Sequence, residues 1–337
     1  MLATKVPSMF SLNKLVINVL LVLSISIPLF TGCGDEIFDL AEQANEGIVI
    51  GAALVNDGVT TSVILTDGED YYRQINADIM GLPSGGEKLC LDRKGRIHIA
   101  TSTMIYTYSP EDKQWYISTA FSSVNNVVAG KDEVYALVYS GMNYIYRFDR
   151  DSGNQWVDTG INISSFASIL SIERDTATGN VFLENYNAGT ATMYRLPDLT
   201  PFGAVTSLVA APTNFSVYNN EELVFSNTNL YSSIRGQMTS GGSSTGPIII
   251  ADSSNIFYAA TMAGSDIYQY NNVDAFVSIY TTDPVPVKIA NMGEGMIIVG
   301  VNSATADKNG LFFFDYKNKV ITKKITTANT YAVTTSR

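Results

Sequence analysis

The sequence predicts an all-β fold of repeated four-stranded antiparallel units, and three observations support this prediction. Apolar–aromatic pairs recur at steps of 40, 48, 37, 37 and 44 residues. Runs rich in β-branched residues alternate with loops of Ser, Thr, Asn and Gly. Helical periodicity is nearly absent beyond the N-terminal segment. Repeats of this length indicate a β-propeller, whose blades need neighbours to bury their faces. The pairs are Ile105-Tyr106, Ile145-Tyr146, Met193-Tyr194, Leu230-Tyr231, Ile267-Tyr268 and Leu311-Phe312.

The N-terminal segment 1–32 has the layout of a secretory signal. Lys5 and Lys14 form a basic lead, a stretch of 16 mostly apolar residues covers 15–30, and small residues follow. An uncleaved membrane helix is the alternative, but it would need about 20 apolar residues to span a bilayer. We therefore predict a signal peptide over residues 1–32.

The segment Leu29-Phe30-Thr31-Gly32-Cys33 resembles the lipobox of bacterial lipoproteins, with Phe30 where that family usually has Leu, Val or Ile. The resemblance implies cleavage before Cys33 and a diacylglycerol on its thiol. The protein would then be exported and lipid-anchored to a bacterial membrane, such as the outer membrane, facing the periplasm or the surface. Residues 33–46 are predicted to be a short acidic tether, and residues 47–337 the β-propeller domain.

Six successive units can be aligned strand by strand along the chain. Each begins with an apolar strand, and tight turns such as Asp92-Arg93-Lys94-Gly95 separate the strands. The predicted strands are 88–91, 96–100, 104–108 and 114–118; 125–128, 133–139, 144–148 and 155–159; 168–172, 181–185 and 192–196; 214–218, 222–226 and 230–234; 247–251, 256–260, 266–270 and 275–280; and 287–290, 295–301, 311–315 and 320–325.

A further unit at the start of the domain lacks one strand, and the end of the chain has one additional strand. Segments 48–52, 62–66 and 71–75 fit the second to fourth strands of a blade, while 330–335 is a surplus strand. If this last strand became the inner strand of the first blade, no open sheet edge would remain. We therefore predict seven blades closed by the C-terminus; six or eight remain open alternatives.

The unit from Asp92 to Thr101, followed by Tyr106 and Trp115, resembles repeats of the NHL and two-component-regulator propellers. Those repeats share an Asp-x-x-Gly turn and a hydrophobic strand that ends in small residues. The match extends in part to 252–260. The resemblance implies a propeller and transfers no catalytic residue.

Charge and rare residues exclude several function classes. The net charge is −11, and removal of residues 1–32 takes away two lysines and no acid, which leaves −13. This charge argues against nucleic acid as a partner. His98 is the single histidine, so a multi-histidine metal site is excluded. We expect Cys90, in an alternating strand, to be a buried structural thiol, and His98 to be packed or half exposed. Asp149 to Gly153 is predicted to be a hairpin turn and not a calcium loop.

Binding is predicted on the face where strand two joins strand three and strand four joins the next blade. The loops there are small and polar, which suits recognition of a protein or a glycan. Most aromatics occupy repeated strand positions, so only those predicted in loops are binding candidates. The candidate residues are Phe121, Asn143, Phe166, Tyr186, Asn187, Phe202, Asn227, Asn229 and Asn302.

The sequence therefore favours an envelope-anchored, non-catalytic binding or scaffolding module, with no catalytic residue, metal or cofactor predicted. The alternative is a propeller enzyme, a lyase or hydrolase, with a site at the channel mouth. That alternative requires acidic and basic side chains from distant repeats to converge.

Overall fold

The computed structural model describes residues 51–56, 59–67, 72–76, 88–166, 168–227, 229–240, 248–252, 255–259, 266–270, 276–281, 285–293, 295–302, 309–327 and 329–335. All belong to the unit Val49–Arg337, one of two into which the chain divides, the other being Met1–Ile48. The predicted signal peptide, Cys33 and the tether lie outside the described residues. Within the described ranges, no helix has the length and apolar character needed to cross a membrane.

All the secondary-structure elements of the described residues are β-strands, as the alternating sequence predicts. The strands are β1 Gly51–Asn56, β2 Thr61–Thr66, β3 Tyr72–Asn76, β4 Lys88–Leu91, β5 Ile97–Ala100, β6 Ile105–Ser109, β7 Gln114–Ile117, β8 Ser123–Ala129, β9 Val134–Tyr139, β10 Asn143–Asp149, β11 Gln155–Asp158, β12 Ile169–Arg174, β13 Val181–Asn187 and β14 Thr190–Arg195. The second half of the chain continues with β15 Thr200–Val205, β16 Pro212–Tyr218, β17 Glu221–Ser226, β18 Asn229–Ser232, β19 Gly236–Ser240, β20 Ile248–Asp252, β21 Asn255–Ala259, β22 Asp266–Tyr270, β23 Phe276–Thr281, β24 Val285–Gly293, β25 Met296–Asn302, β26 Gly310–Asp315, β27 Val320–Thr326 and β28 Asn329–Thr335.

These strands form four-stranded antiparallel sheets, which are the blades of a propeller. Blade 1 is β28-β1-β2-β3, and blades 2 to 7 are β4–β7, β8–β11, β12–β15, β16–β19, β20–β23 and β24–β27. The first strands of the blades contact one another in a closed ring: β28, β4, β8, β12, β16, β20, β24 and back to β28. The all-β propeller of four-stranded antiparallel blades is therefore confirmed.

The C-terminal strand closes the ring as predicted. β28 pairs antiparallel with β1, from Gly51 opposite Thr335 to Asn56 opposite Asn329, with a register shift at Leu54/Val55. Asn302 of blade 7 strengthens this junction. Its side-chain amide donates to the Thr330 carbonyl (2.9 Å), and its oxygen accepts from the Thr330 amide (2.6 Å).

The hydrophobic core lies between blades, because successive side chains of a strand point to opposite sheet faces. In β13, Leu183 packs toward blade 3 with Leu137, whereas Phe182 packs toward blade 5 with Val217. Each buried strand therefore carries apolar residues on both faces, as expected for sheets packed on both sides.

Two strands were absent from the sequence prediction, and several strands are longer than predicted. β15 and β19 are the fourth strands of blades 4 and 5, for which no fourth strand was predicted. Buried and exposed residues do not alternate along β15, because both faces of this outer strand are largely exposed. β12 extends through Glu173 and Arg174, beyond the predicted 168–172.

Candidate functional site: the central channel

A cavity of about 260 Å³ lies along the axis of the propeller. Its walls come from the first strands of blades 1, 2, 3, 4, 5 and 7. We call this cavity the central channel. The polar and ionisable residues that line it include Lys88, Cys90, Asn126, Glu173, Arg174, Asn214, Ser216, Lys288 and Asn291.

Three cationic side chains converge in the channel from distant parts of the chain. Lys88 comes from β4, Arg174 from β12 and Lys288 from β24, and all three are partly buried. Burial lowers the pKa of Lys288, and the nearby charge of Lys88 lowers it further. Burial also lowers the pKa of Arg174. The two lysines and the arginine are thus held in partly desolvated positions.

Glu173 is the acidic member of the channel lining. Burial raises the pKa of its carboxyl group to about 7, although the charges of Lys88 and Arg174 act in the opposite direction. Near neutral pH this group can therefore either donate or accept a proton. Such behaviour is what a general acid or base requires, and structural ion-pair networks can produce it too.

The neutral groups of the channel wall support the strands. The Asn126 side-chain amide donates to the Ile172 carbonyl (2.7 Å) and to Ser171 Oγ (3.1 Å), which ties β8 to β12. The Thr335 hydroxyl donates to the Asn291 carbonyl (2.6 Å). Burial is the main cause of a raised pKa at Cys90, whose thiol is buried as predicted, so the thiol stays protonated at neutral pH.

Two further acidic residues, Glu184 and Glu222, lie in the interface between blades 4 and 5. Glu184 shares the face of β13 that carries Phe182, and Glu222 shares the face of β17 that carries Val224. Burial raises the pKa of both carboxyl groups, and the charge of Glu222 raises that of Glu184 further. Glu173 in the channel adds to this effect on Glu184.

His98 is completely buried between blades 2 and 3, away from the channel lining. Its Nδ1 lies 2.9 Å from Thr107 Oγ1 and its Nε2 lies 3.5 Å from Asp92 Oδ2. Trp156 Nε1 donates to the same Thr107 hydroxyl (3.3 Å). Burial lowers the pKa of His98. Of the two positions expected for this histidine, packed or half exposed, the structure shows the packed one.

The asparagines predicted on the binding face lie at the ends of the second and third strands. We call this surface, formed by the two-to-three and four-to-one connections, the loop face. Asn187 and Asn227 are exposed, and Asn143 and Asn229 are partly exposed. Asn227 adopts a left-handed backbone (φ 57°), which suits a tight turn. Asn302 instead holds β28, as described above.

The four aromatic candidates differ in their exposure, and two of them do not lie in loops as predicted. Phe121 is buried edge-to-face on Tyr146, and Phe166 stacks on Tyr194. Tyr186 lies within β13, and Phe202 lies in β15 against Phe182, so neither is a loop residue. Ring contacts therefore bury Phe121, whereas Phe202 is 39% exposed despite its contact with Phe182 in the same blade.

Exposed apolar residues are concentrated on the loop face. Eight large hydrophobic residues of the described ranges are exposed, and five of them lie on this face. The other three, Phe202, Ile234 and Val320, lie on outer strands or at three-to-four hairpins. The five are Val59, Ile117, Tyr139, Met142 and Val209.

No cluster of three or more His, Cys, Asp or Glu side chains in the described ranges could hold a metal ion. Asp149, the first residue of the faint calcium-loop pattern, instead accepts hydrogen bonds from Asp151 N (3.0 Å) and the Ser152 hydroxyl (2.6 Å). These bonds close a hairpin turn, as predicted.

The sequence prediction did not include the channel residues Lys88, Glu173, Arg174 and Lys288 in a site. A usable signal was present at Lys88 and Lys288, which stand in predicted first strands, where a charge would face the axis. Glu173 and Arg174 lie beyond residue 172, where their strand was predicted to end, so no position facing the axis was expected for them. Each residue alone resembles an ordinary surface charge.

Comparison with known proteins gives the fold and no family. No family model and no curated protein match the chain. A Bacteroides uniformis protein, named for a proposed 6-phosphogluconolactonase activity, superposes with TM-score 0.57 and 10% identity over 85% of this chain and 99% of that chain. A chain of the mitotic checkpoint complex gives 0.56 and 9%, covering 73% and 81%. Dihydro-heme d1 dehydrogenase gives 0.53 and 8%, covering 85% and 75%. At identities this low, the superpositions show the propeller fold alone, and propellers serve many functions.

Proposed function

We propose that this chain is an exported, lipid-anchored propeller of the bacterial envelope that binds a partner protein through its loop face. The observation that carries this proposal is the concentration of exposed apolar side chains there, at Val59, Ile117, Tyr139, Met142 and Val209. Exposed apolar groups on a folded domain favour protein contacts. The anchor at Cys33 follows from the lipobox resemblance, and membership of an NHL-like group from the Asp92 repeat.

A protein partner fits the loop face better than a glycan. Glycan recognition commonly uses an exposed ring that stacks on a sugar. Phe121 and Phe166 are packed against other rings, and the exposed Tyr139 is accompanied on this face by four exposed non-aromatic apolar side chains, which suit a protein surface. The mitotic checkpoint chain shows that this fold can serve in a multiprotein assembly. The exposed asparagines of the loop face would contribute hydrogen bonds around the apolar contacts.

The test is capture of the partner from solubilised membranes with the full-length protein. A Met142→Glu/Val209→Glu double variant should lose the partner, because each substitution places a charge in the apolar contact. Ile234→Glu is the matched control, since Ile234 is 70% exposed but lies away from the loop face. Equal recovery by the double variant and the control would overturn the docking proposal. Incorporation of a lipid precursor into the wild type and not into Cys33→Ala tests the anchor separately.

A second candidate function is catalysis in the channel, and Glu173 is the observation that favours it. Its pKa of about 7 and the neighbouring Arg174 provide an acid–base group beside a cation. This arrangement suits a hydrolase or lyase. Hydrolysis of a panel of lactones and esters should then be abolished by Glu173→Gln and retained by Glu111→Gln on the surface. Absence of turnover by the wild type on the whole panel would leave binding as the function.

A further inference from the structure

The charge of the central channel is opposite to that of the protein. The chain has a net charge of −11, but the ionisable side chains lining the channel include three cations and one carboxyl group. Lys88, Arg174 and Lys288 come from three different blades, so no single turn or ion pair explains their meeting. Electrostatic focusing in a low-dielectric cleft makes such a site attractive to anions.

The cations of the channel are under-compensated within the described residues. Lys88, Arg174 and Lys288 form no ion pair with any carboxylate of this part of the chain. The buried Arg174 Nε has no hydrogen-bond acceptor there. Lys88 and Lys288 are close enough that the charge of one acts on the other. Bringing like charges together while removing them from water is unfavourable unless an anion offsets both costs.

We propose that the central channel binds a small organic or inorganic anion, a carboxylate or phosphate, through Lys88, Lys288 and Arg174. The two ammonium groups would act as point charges on the anion, and the guanidinium would donate from the side whose Nε lacks an acceptor. This site is independent of the proposed docking on the loop face, because it is built from the inner strands alone.

The size of the cavity limits the ligand to a small molecule. Its volume is about 260 Å³, which is below the roughly 300–1,000 Å³ typical of sites for drug-sized ligands. The walls combine charged and amide groups with aliphatic side chains such as Leu89 and Ile289. A phosphate ion or a short di- or tricarboxylate fits this combination of size and charge.

Glu173 makes binding dependent on pH. The charges of Lys88 and Arg174 act on Glu173, and Glu173 in turn acts on Glu184. Arg93 acts on Arg174, and the cationic Lys288 and the neutral Cys90 also line the channel. When protonated, Glu173 can donate a hydrogen bond to an anion; when ionised, it repels the anion and competes for the cations. Because its pKa is about 7, the affinity for an anion whose own charge is constant in this range, such as sulfate, should fall between pH 6 and pH 8.

The experiment measures binding of inorganic phosphate and of citrate to the purified full-length protein by isothermal titration calorimetry and thermal unfolding. Either anion should raise the unfolding temperature, and added NaCl should weaken the effect. Lys88→Gln and Lys288→Gln should each weaken binding at least tenfold. Lys113→Gln, an exposed substitution in the hairpin between β6 and β7, should leave binding unchanged. The pH dependence is measured with sulfate, whose charge is the same at pH 6 and pH 8, and Glu173→Gln should bind it equally well at both.

A second readout tests the repulsion between the channel cations in the absence of any anion. Lys288→Gln removes one of two repelling charges, so without any anion it should unfold at a higher temperature than the wild type. In the presence of phosphate or citrate this advantage should vanish or reverse. Binding of neither anion, equal binding by Lys88→Gln, Lys288→Gln and Lys113→Gln, or a lower unfolding temperature of anion-free Lys288→Gln would overturn the proposal.

Discussion

The side chains of Glu184 and Glu222 meet across the interface between blades 4 and 5 in a hydrogen bond between the two carboxyl groups, and no other donor of the described residues reaches either group. Both side chains are completely buried. Two ionised carboxylates without donors would be very unfavourable there, but one proton allows one group to donate to the other. The folded chain therefore retains a proton on this pair at pH values where free glutamates are ionised.

The pair predicts that stability decreases as pH rises. The pKa values of Glu184 and Glu222 are raised above the ordinary 4.5, so folding binds protons that the unfolded chain has already released. The pair's contribution is therefore most favourable below about pH 4.5 and is lost as pH rises through the folded-state values. Glu222→Gln should raise the free energy of unfolding by about 1–3 kcal/mol at pH 8 and much less at pH 5.

Urea unfolding at pH 5, 7 and 8.5 measures this difference. Glu111→Gln is the control, because Glu111 is exposed and pairs with Arg150 on the surface. A Glu222→Gln protein that is less stable than the wild type at pH 8 would contradict the arrangement of a proton-sharing pair.

The hydroxyl of Thr107 joins two buried rings from different blades. It contacts His98 Nδ1 (2.9 Å) and accepts from Trp156 Nε1 (3.3 Å). Thr107→Val keeps the volume but leaves both ring nitrogens without this partner, so it should destabilise the protein by about 2–3 kcal/mol. Thr103→Val, an exposed substitution in the same blade, should cost less than about 0.5 kcal/mol. Chemical unfolding followed by Trp fluorescence distinguishes the two.

Acidification should also destabilise the region around His98. Burial lowers the pKa of His98, so its contribution is lost as pH falls below the unfolded value of 6.5. Burial would raise the pKa of Asp92, but hydrogen bonds and charges from His98 and Arg96 lower it to about 2. Asp92 therefore contributes stability above pH 3.8 and loses it as pH falls toward 2. Thr107→Val should steepen the loss near pH 6, which near-UV circular dichroism across pH 4–8 can report.

Asp175 connects the hairpin of blade 4 to that of blade 5. Its buried carboxylate accepts from Ala177 N (2.8 Å), Asn219 N (2.8 Å) and Asn220 N (2.9 Å). Asp175→Ala removes these charge-assisted bonds and leaves three partly buried backbone amides without this acceptor, with an expected cost of about 2–4 kcal/mol. Asp198→Ala, at an exposed pair with Arg195, should cost at most about 1 kcal/mol. Similar midpoints of urea unfolding for the two variants would contradict the role of Asp175.

Asn302 should matter for closure of the ring and not for binding. Its side chain makes two hydrogen bonds to the backbone of Thr330, so Asn302→Ala should weaken the contact between blade 7 and β28. We expect a loss of about 1–3 kcal/mol and faster hydrogen exchange of the β28 amides. Asn143→Ala, at the corresponding edge of blade 3, is the control. Unchanged exchange in β28 would show that the clamp is dispensable.

The repeated strands could be predicted because their signal is local. Alternation in β4 to β11 and the turn at Asp92 specify strand and hairpin within a few residues of chain. The spare strand at the end and the gap at the beginning together predicted that β28 joins β1. β15 and β19 were missed because the side chains of an outer strand are little covered by other residues, so its sequence needs little alternation of apolar and polar residues.

The candidate site could not be predicted in the same way, because it depends on which residues share the axis. Lys88 and Lys288 lie far apart in the chain, and only closure of the ring places them close together. Glu184 and Glu222 look like ordinary alternating positions until two blades pack face to face. Most strands, the tight turns and the pairing of the last strand with the first blade follow from local periodicity and chain order, which can be read in the sequence. The charge of the channel, the burial of Phe121 and the pairing of the two acids follow from the three-dimensional packing, because desolvation and through-space charge depend on neighbours far away in the chain.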